Sequence, residues 1–260
     1  MLQIDSAKET AKIASFIKTV LGEQGFKNVV IGISGGIDSA TSLYLLKKSI
    51  PPKNIFVAHL YYFKSQIDLI KPLLKDIPKE NIYNLSIRSF VEEFEKMLFP
   101  RKILNQVQDD TEDKVRLGNI MARVRMTVLY DLAKKHNALV CGTENKSEYS
   151  LGYFTRFGDE ASDFEPIRHL YKTQVYQLAK NLNIPKNIID QIPTAGLWPN
   201  QTDETDFGFS YKEADEVLYL YFEEKKTISQ IIANGHKNAE KIIERVNKNS
   251  FKHHLPHTIK

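Results

Sequence analysis

The chain has 260 residues, 42% of them hydrophobic and 26% charged, enough to bury a sizeable core in one large α/β domain or two small ones. Its 36 Lys and Arg against 32 Asp and Glu leave a formal charge of +4 with no basic stripe, which suits phosphate-bearing small molecules and argues against obligate nucleic-acid binding. A single cysteine excludes a disulfide scaffold, and no stretch reaches membrane-spanning length or reads as a secretory leader, so a cytoplasmic protein without a membrane partner is expected.

Ile13, Phe16, Ile17, Val20 and Leu21 recur at helical spacing, which predicts a helix over residues 10–21, stopped by Gly25. Apolar runs at 29–33, 55–60, 82–87 and 138–141 read as buried strands with helical segments between them. That alternation implies a parallel sheet covered on both faces. Residues 100–113 lack sustained periodicity and carry four acids near their end, so they read as a long mobile loop. A helix follows over 114–135: Leu117, Ile120, Met121, Val124, Val128 and Leu132 share a packing arc, and Arg116, Asn119 and Arg123 share another that can meet a ligand. Arg125 falls inside the apolar arc and is expected to be structural and paired. Cys141 closes the fourth strand and is expected to be buried. Beyond Gly196, helical stretches around 211–225 and 239–249 read as a C-terminal appendage, about 205–260, on a core of about 10–200 within one domain. His253, His254 and His257 surround Leu255-Pro256 at poor metal-ligand spacing and read as an exposed tail.

The segment Gly32-Ile33-Ser34-Gly35-Gly36-Ile37-Asp38-Ser39 follows a predicted strand and opens a helix predicted over 38–48. Its glycines let backbone amides approach an anion at a helix N-terminus, where a phosphate or pyrophosphate belongs. No Gly-Lys-Ser/Thr follows, so it is not a Walker A loop, and it lacks the Gly-x-Gly-x-x-Gly spacing. The alternative is a structural turn capped by Asp38 or Ser39.

The Ser-Gly-Gly-x-Asp-Ser pattern at 34–39 resembles the signature of the PP-loop ATP pyrophosphatases, which split ATP between the α and β phosphates. Within that superfamily, Gly118-Asn119-Ile120-Met121-Ala122-Arg123-Val124-Arg125-Met126 and Gly142-Thr143-Glu144-Asn145-Lys146-Ser147-Glu148 are similar to the ammonia-dependent NAD synthetases. So are Arg156, Asp163, Leu170-Tyr171-Lys172, Pro193-Thr194-Ala195-Gly196 and Gln201-Thr202-Asp203-Glu204, in order and spacing. The resemblance implies a doubly wound parallel sheet of the adenine nucleotide alpha hydrolase-like kind. It also implies a ligase that converts deamido-NAD, ATP and ammonia to NAD, AMP and pyrophosphate through an acyl-adenylate, with Mg2+ and as a homodimer whose contact would be the 114–135 helix. Carried over by position, Gly32, Ile33, Ser34, Gly35, Gly36, Ile37, Asp38, Ser39, Thr143, Lys172 and Thr194 would meet ATP. Asp38 and Glu148 would hold magnesium, and Arg123, Arg156, Asp163 and Lys252 would face deamido-NAD. Asp38, Lys172 and Asp163 would serve the chemistry, Asp163 as a base for ammonium. The rivals are an RNA-modifying PP-loop enzyme, for which the basic stripe and paired cysteines are missing, and a nucleotide sensor without turnover.

Overall fold

The computed structural model describes residues 2–98 and 111–254. The four apolar runs form β1 (Asn28–Gly32), β2 (Ile55–Tyr61), β3 (Ile82–Ser86) and β4 (Ala138–Cys141). In chain order the helices are α1 (Ser6–Gln24), α2 (Ile37–Ser49), α3 (Ile67–Ile70), α4 (Arg88–Leu98), α5 (Thr111–His136) and α6 (Lys146–Leu151), then α7 (Lys172–Asn181), α8 (Lys186–Ile189), α9 (Asp203–Phe207), α10 (Tyr211–Phe222), α11 (Ile228–Ala233) and α12 (Ala239–Asn249). Among the described residues no helix is long and apolar enough to cross a membrane.

All strands pair in parallel in the order β3-β2-β1-β4, with Val30 opposite Phe56 on one side and Val140 on the other. Because side chains alternate along a strand, each run feeds two cores. Val29, Ile31, Val57 and Leu139 meet α1, α2 and α7 on one face, while Val30, Phe56, Ala58 and Val140 meet α4 and α5 on the other. The chain steps outward from β1 to β3 and then crosses to the far side of β1. The resulting switch point between β1 and β4 is where open sheets of this kind hold ligands, at the strand carboxyl ends.

α6 and α9–α12 gather a separate apolar cluster around Leu151, Tyr171, Phe207, Leu218, Ile231 and Ile242, which is the helical C-terminal region. Three expectations shift. β3 is an edge strand with Leu85 42% exposed, not a fully buried one, because no other described strand pairs beyond it. α1 begins at Ser6 because Asp5 accepts amide bonds from Ala7 and Lys8 at 3.1 and 3.0 Å. Residues 111–113, assigned from sequence to the loop, are the first turn of α5, where Glu112 and Asp113 complement the helix dipole and Asp113 pairs Arg116 at 2.9 Å. The rest of that loop, 100–110, lies outside the described residues.

Candidate active site

Ile33 extends the β1 pairing by one bond, its N–H donating to Ala58 O at 2.9 Å, and its side chain and that of Ile37 are buried. Ser34, Gly35 and Gly36 make the turn between these two anchors. Gly35 holds φ +97°, a backbone conformation that calls for glycine, and a Cβ there would also crowd Gln66 Oε1 at 3.2 Å. Gly36 is the N-cap of α2 and contributes no side chain, which leaves the helix N-terminus uncapped. Ser34 Oγ accepts from Gly36 N–H at 3.1 Å and lies 3.2 Å from Ser39 Oγ. Open helix amides flanked by two hydroxyls form an anion cradle. His59, missed from sequence, supports it from β2: Nδ1–H donates to Ile33 O at 2.8 Å while Nε2 accepts Gln66 N–H at 3.0 Å.

Beside the cradle, across the β1/β4 switch, the structure brings Asp38, Glu148 and Lys172 together. Lys172 Nζ lies 2.5 Å from Asp38 Oδ2 and 3.2 Å from Glu148 Oε1. Asn145 locks the second side: its Nδ2 donates to Asp38 Oδ1 at 3.0 Å, and its Oδ1 caps α6 by accepting Glu148 N–H at 3.0 Å. The Asn-x-x-Glu spacing is a capping-box signature, and it aims Glu148 at the lysine. Tyr211, from the C-terminal helices, stacks under Lys172 with its ring centroid 4.9 Å from Nζ and donates its hydroxyl to Asp203 Oδ2 at 2.9 Å.

Burial works against the Lys172 charge, yet Asp38 and Glu148 outweigh it and hold the ammonium protonated well above its ordinary range. Burial raises the Glu148 carboxyl; Lys172 pulls it down, and Asp38 and Asp203 push it up further. Two acidic side chains thus contact one ammonium, and Asp203 Oδ1 nearby is buried without a hydrogen-bond partner among the described residues. The oxygens of Asp38 and Glu148 are hard donors of the kind magnesium takes. Among the described residues no group of three His, Cys, Asp or Glu is arranged to hold a metal ion.

A second group lies along the loop after α6. Arg123 donates to Arg156 O at 3.2 Å, Arg156 donates to His254 O at 2.5 Å, and Lys252 donates to Gly152 O and Phe154 O at 2.7 and 2.8 Å. Burial lowers the Lys252 pKa. His253 is not part of an exposed tail: its ring packs on Tyr149 at 4.3 Å and bonds Tyr149 O at 2.7 Å, while His257 lies outside the described residues. Arg125 donates to Leu60 O at 3.0 Å, a structural role played with a carbonyl.

The remaining expected residues stand apart from these groups. Thr143 is half-buried just past β4. Thr194 is exposed, its Oγ1 accepting Gly196 N–H at 3.0 Å; its neighbour Pro193, not Thr194 itself, lines a cleft of about 420 Å³ with Lys172, Tyr176 and Tyr211. Asp163 Oδ2 accepts Val140 N–H at 2.6 Å and so fastens its loop to the free edge of β4. Asn145, Asp203 and Tyr211 join the cluster beyond the expected residues: Asn145 carries the capping signal before Glu148, Asp203 lies in Gln201-Thr202-Asp203-Glu204, and Tyr211 has no local signature.

The chain is similar to known proteins over nearly its whole length. The NAD synthase family profile matches residues 9–256. The NH(3)-dependent NAD(+) synthetase of Fusobacterium nucleatum is 36% identical over 250 residues, covering 94% of this chain and 92% of the relative. That of Thermoplasma acidophilum is 39% identical over 259 residues, covering 98% and 99%. Among solved structures, an NMN synthetase from Francisella tularensis superposes with TM-score 0.80 at 32% identity, covering 99% of both chains. An NH3-dependent NAD synthetase from Campylobacter jejuni in complex with the nitrate ion superposes with TM-score 0.78 at 31% identity, covering 99% and 100%. With the uncapped cradle of α2 and the Asp38–Lys172–Glu148 cluster at the sheet's switch point, the chain belongs to the NAD synthase family.

Proposed function

We propose that this protein amidates deamido-NAD with ammonia in the cytoplasm, consuming ATP. The observation that carries the reading is the Lys172 ammonium held between a carboxylate of the phosphate loop and Glu148, beside an open helix N-terminus. The cradle amides with Ser34 and Ser39 bind the pyrophosphate portion of ATP, and Lys172 offsets charge as that group departs. Arg123, Arg156 and Lys252 attract the phosphates of the dinucleotide and align its carboxylate with the α phosphorus. A carboxylate oxygen attacks that phosphorus and pyrophosphate leaves. Ammonia then attacks the carbonyl, AMP leaves, and one proton is released. Asp38 and Glu148 are the residues that would hold magnesium, whose chemistry is to screen phosphate charge. Thr143 and Thr194 contact ATP in this reading, and Asp163 orders the dinucleotide loop through its bond to Val140.

The protein is proposed to act as a homodimer. Support comes from α4, where Phe90, Phe94, Met97 and Leu98, at helical spacing, are 62, 44, 67 and 53% exposed while Val91 faces the core. Val115 of α5 adds to the exposed apolar surface.

The test supplies purified protein with ATP, magnesium, ammonium and either deamido-NAD or nicotinate mononucleotide, alongside Asp38→Ala. NAD and AMP in equal amounts, lost in the variant, are expected. Amidation of the mononucleotide alone would move the reading to the chemistry named for the Francisella tularensis relative. ATP binding with no turnover of either substrate would sink the ligase reading.

A further inference from the structure

α7 has an unusual problem at its start. Lys172 is its first residue, and the residue before it, Tyr171, has no short side-chain oxygen to cap the free N–H groups of the first turn. Those groups are capped instead from two other helices. Lys172 N–H donates to Ser147 Oγ at 2.8 Å, Ser147 lying on α6 between Asn145 and Glu148. Thr173 N–H donates to Asp215 Oδ2 at 2.8 Å, Asp215 lying on α10. Ser147 Oγ–H in turn donates to Asp215 Oδ1. Asp215 is fully buried and Ser147 equally so, and no lysine or arginine pairs with this carboxylate within salt-bridge distance among the described residues. The charge is held by two donated hydrogen bonds and by the positive end of the α7 dipole.

We infer that Asp215, acting through Ser147, is a positioning residue for Lys172: a remote cap that fixes the backbone from which the Lys172 ammonium reaches Asp38 and Glu148. The inference rests on the reading that Lys172 serves the ATP step. Its physical basis is that the Lys172 side chain is stationed by where α7 begins. Tyr171 cannot supply that cap, and Asp215 holds the Thr173 amide directly and the Lys172 amide through Ser147. An error of about 1 Å in such placement is enough to cost about 100-fold in rate. The arrangement also makes the C-terminal helical region part of the catalytic apparatus, since α10 brings both this cap and Tyr211.

The experiment compares the full-length chain with Asp215→Ala, Asp215→Asn, Ser147→Ala, Lys172→Ala and Val217→Ala. Val217 is equally buried in the same helix and apolar cluster but touches none of these bonds, so it controls for loosening of the fold. Amide hydrogen exchange at Lys172 and Thr173 is followed beside kcat and KM for ATP, at a temperature where every variant is folded. In Asp215→Ala both amides are expected to lose protection and kcat to fall 10- to 100-fold with KM for ATP within about 3-fold. Asp215→Asn, which still accepts from Thr173, is expected to recover part of the rate, and Val217→Ala to lower the melting temperature while keeping kcat. Unchanged kcat in Asp215→Ala, or equal losses of kcat in Asp215→Ala and Val217→Ala, would overturn the inference. Turnover persisting in Lys172→Ala would instead remove the role of the lysine, and exchange at the two amides would still report whether Asp215 caps α7.

Discussion

At the scale of single residues, the chemistry is set by how much charge is buried with how little compensation. Glu144, Glu165 and Arg168 make this plain behind β4: Arg168 bonds Glu144 Oε2 at 2.8 Å and lies 3.7 Å from Glu165, so two carboxylates share one guanidinium. Burial pushes Glu165 up to about 7 in spite of Arg168, from an ordinary value of 4.5. A carboxyl whose folded pKa is raised binds its proton more tightly when folded. Its stabilising contribution is therefore complete below about 4.5 and is lost as pH rises through about 7. Glu165→Gln removes that titration while keeping an acceptor for Glu144 N–H. Chemical denaturation from pH 4.5 to 8 is expected to show a shallower loss of stability in the variant than in the parent, by about 1 to 3 kcal/mol across the window. Identical slopes would mean that Glu165 does not titrate there. Asp38, Glu148 and Lys172 were legible in the sequence because each sits in a dense local motif. Asp215 and Tyr211 were not, because neither lies in a glycine-rich or charged local motif and Asp215 finds its partners Thr173 and Ser147 only 42 and 68 positions away in the fold.

At the scale of elements, strands and helices followed from periodicity wherever both faces or one clear stripe were apolar. The errors fell at ends, where capping decides: Asp5 lengthened α1 and the acids before Lys114 lengthened α5. The junction of α6 with α12 shows how much one terminus can carry. Gly152 ends α6 at φ +62°, its carbonyl accepts from Lys252, and a Cβ there would lie 2.3 Å from Asn249 Cβ on α12. Neither backbone-near atom can swing aside, so Gly152→Ala must push α12 off α6. A loss of about 2 to 4 kcal/mol in urea-denaturation stability is expected, combining the left-handed backbone cost with the steric one. A loss below about 1 kcal/mol would show that α12 is free to shift at that contact.

At the scale of the whole molecule, the parallel sheet was legible as alternating apolar runs, while the strand order that creates the switch point between β1 and β4 came only with the structure. The sequence pointed to α5 as the surface for a second copy, whereas the exposed apolar stripe lies mainly on α4, whose short segment showed little at the level of motifs. A two-fold interface would set this stripe against itself, so a charge introduced there meets its own copy. Phe90→Asp with Phe94→Asp is expected to sediment as a monomer where the parent sediments as a dimer, with circular dichroism unchanged. A parent that is monomeric at micromolar concentration would end the dimer proposal.

The bonds that close the site also run the length of the chain. Lys172 meets Asp38 across 134 positions and Asn145 meets Asp38 across 107, while Tyr211 and Asp215 come from the last quarter of the sequence. During synthesis the ribosome therefore releases the phosphate loop early and the groups that surround it last. A growing chain carries the glycine turn long before it carries the lysine, its remote cap or the tyrosine beneath it. Until synthesis has passed Tyr211 and Asp215, the cluster around Asp38 lacks bonds that close it, so these long-range contacts form late.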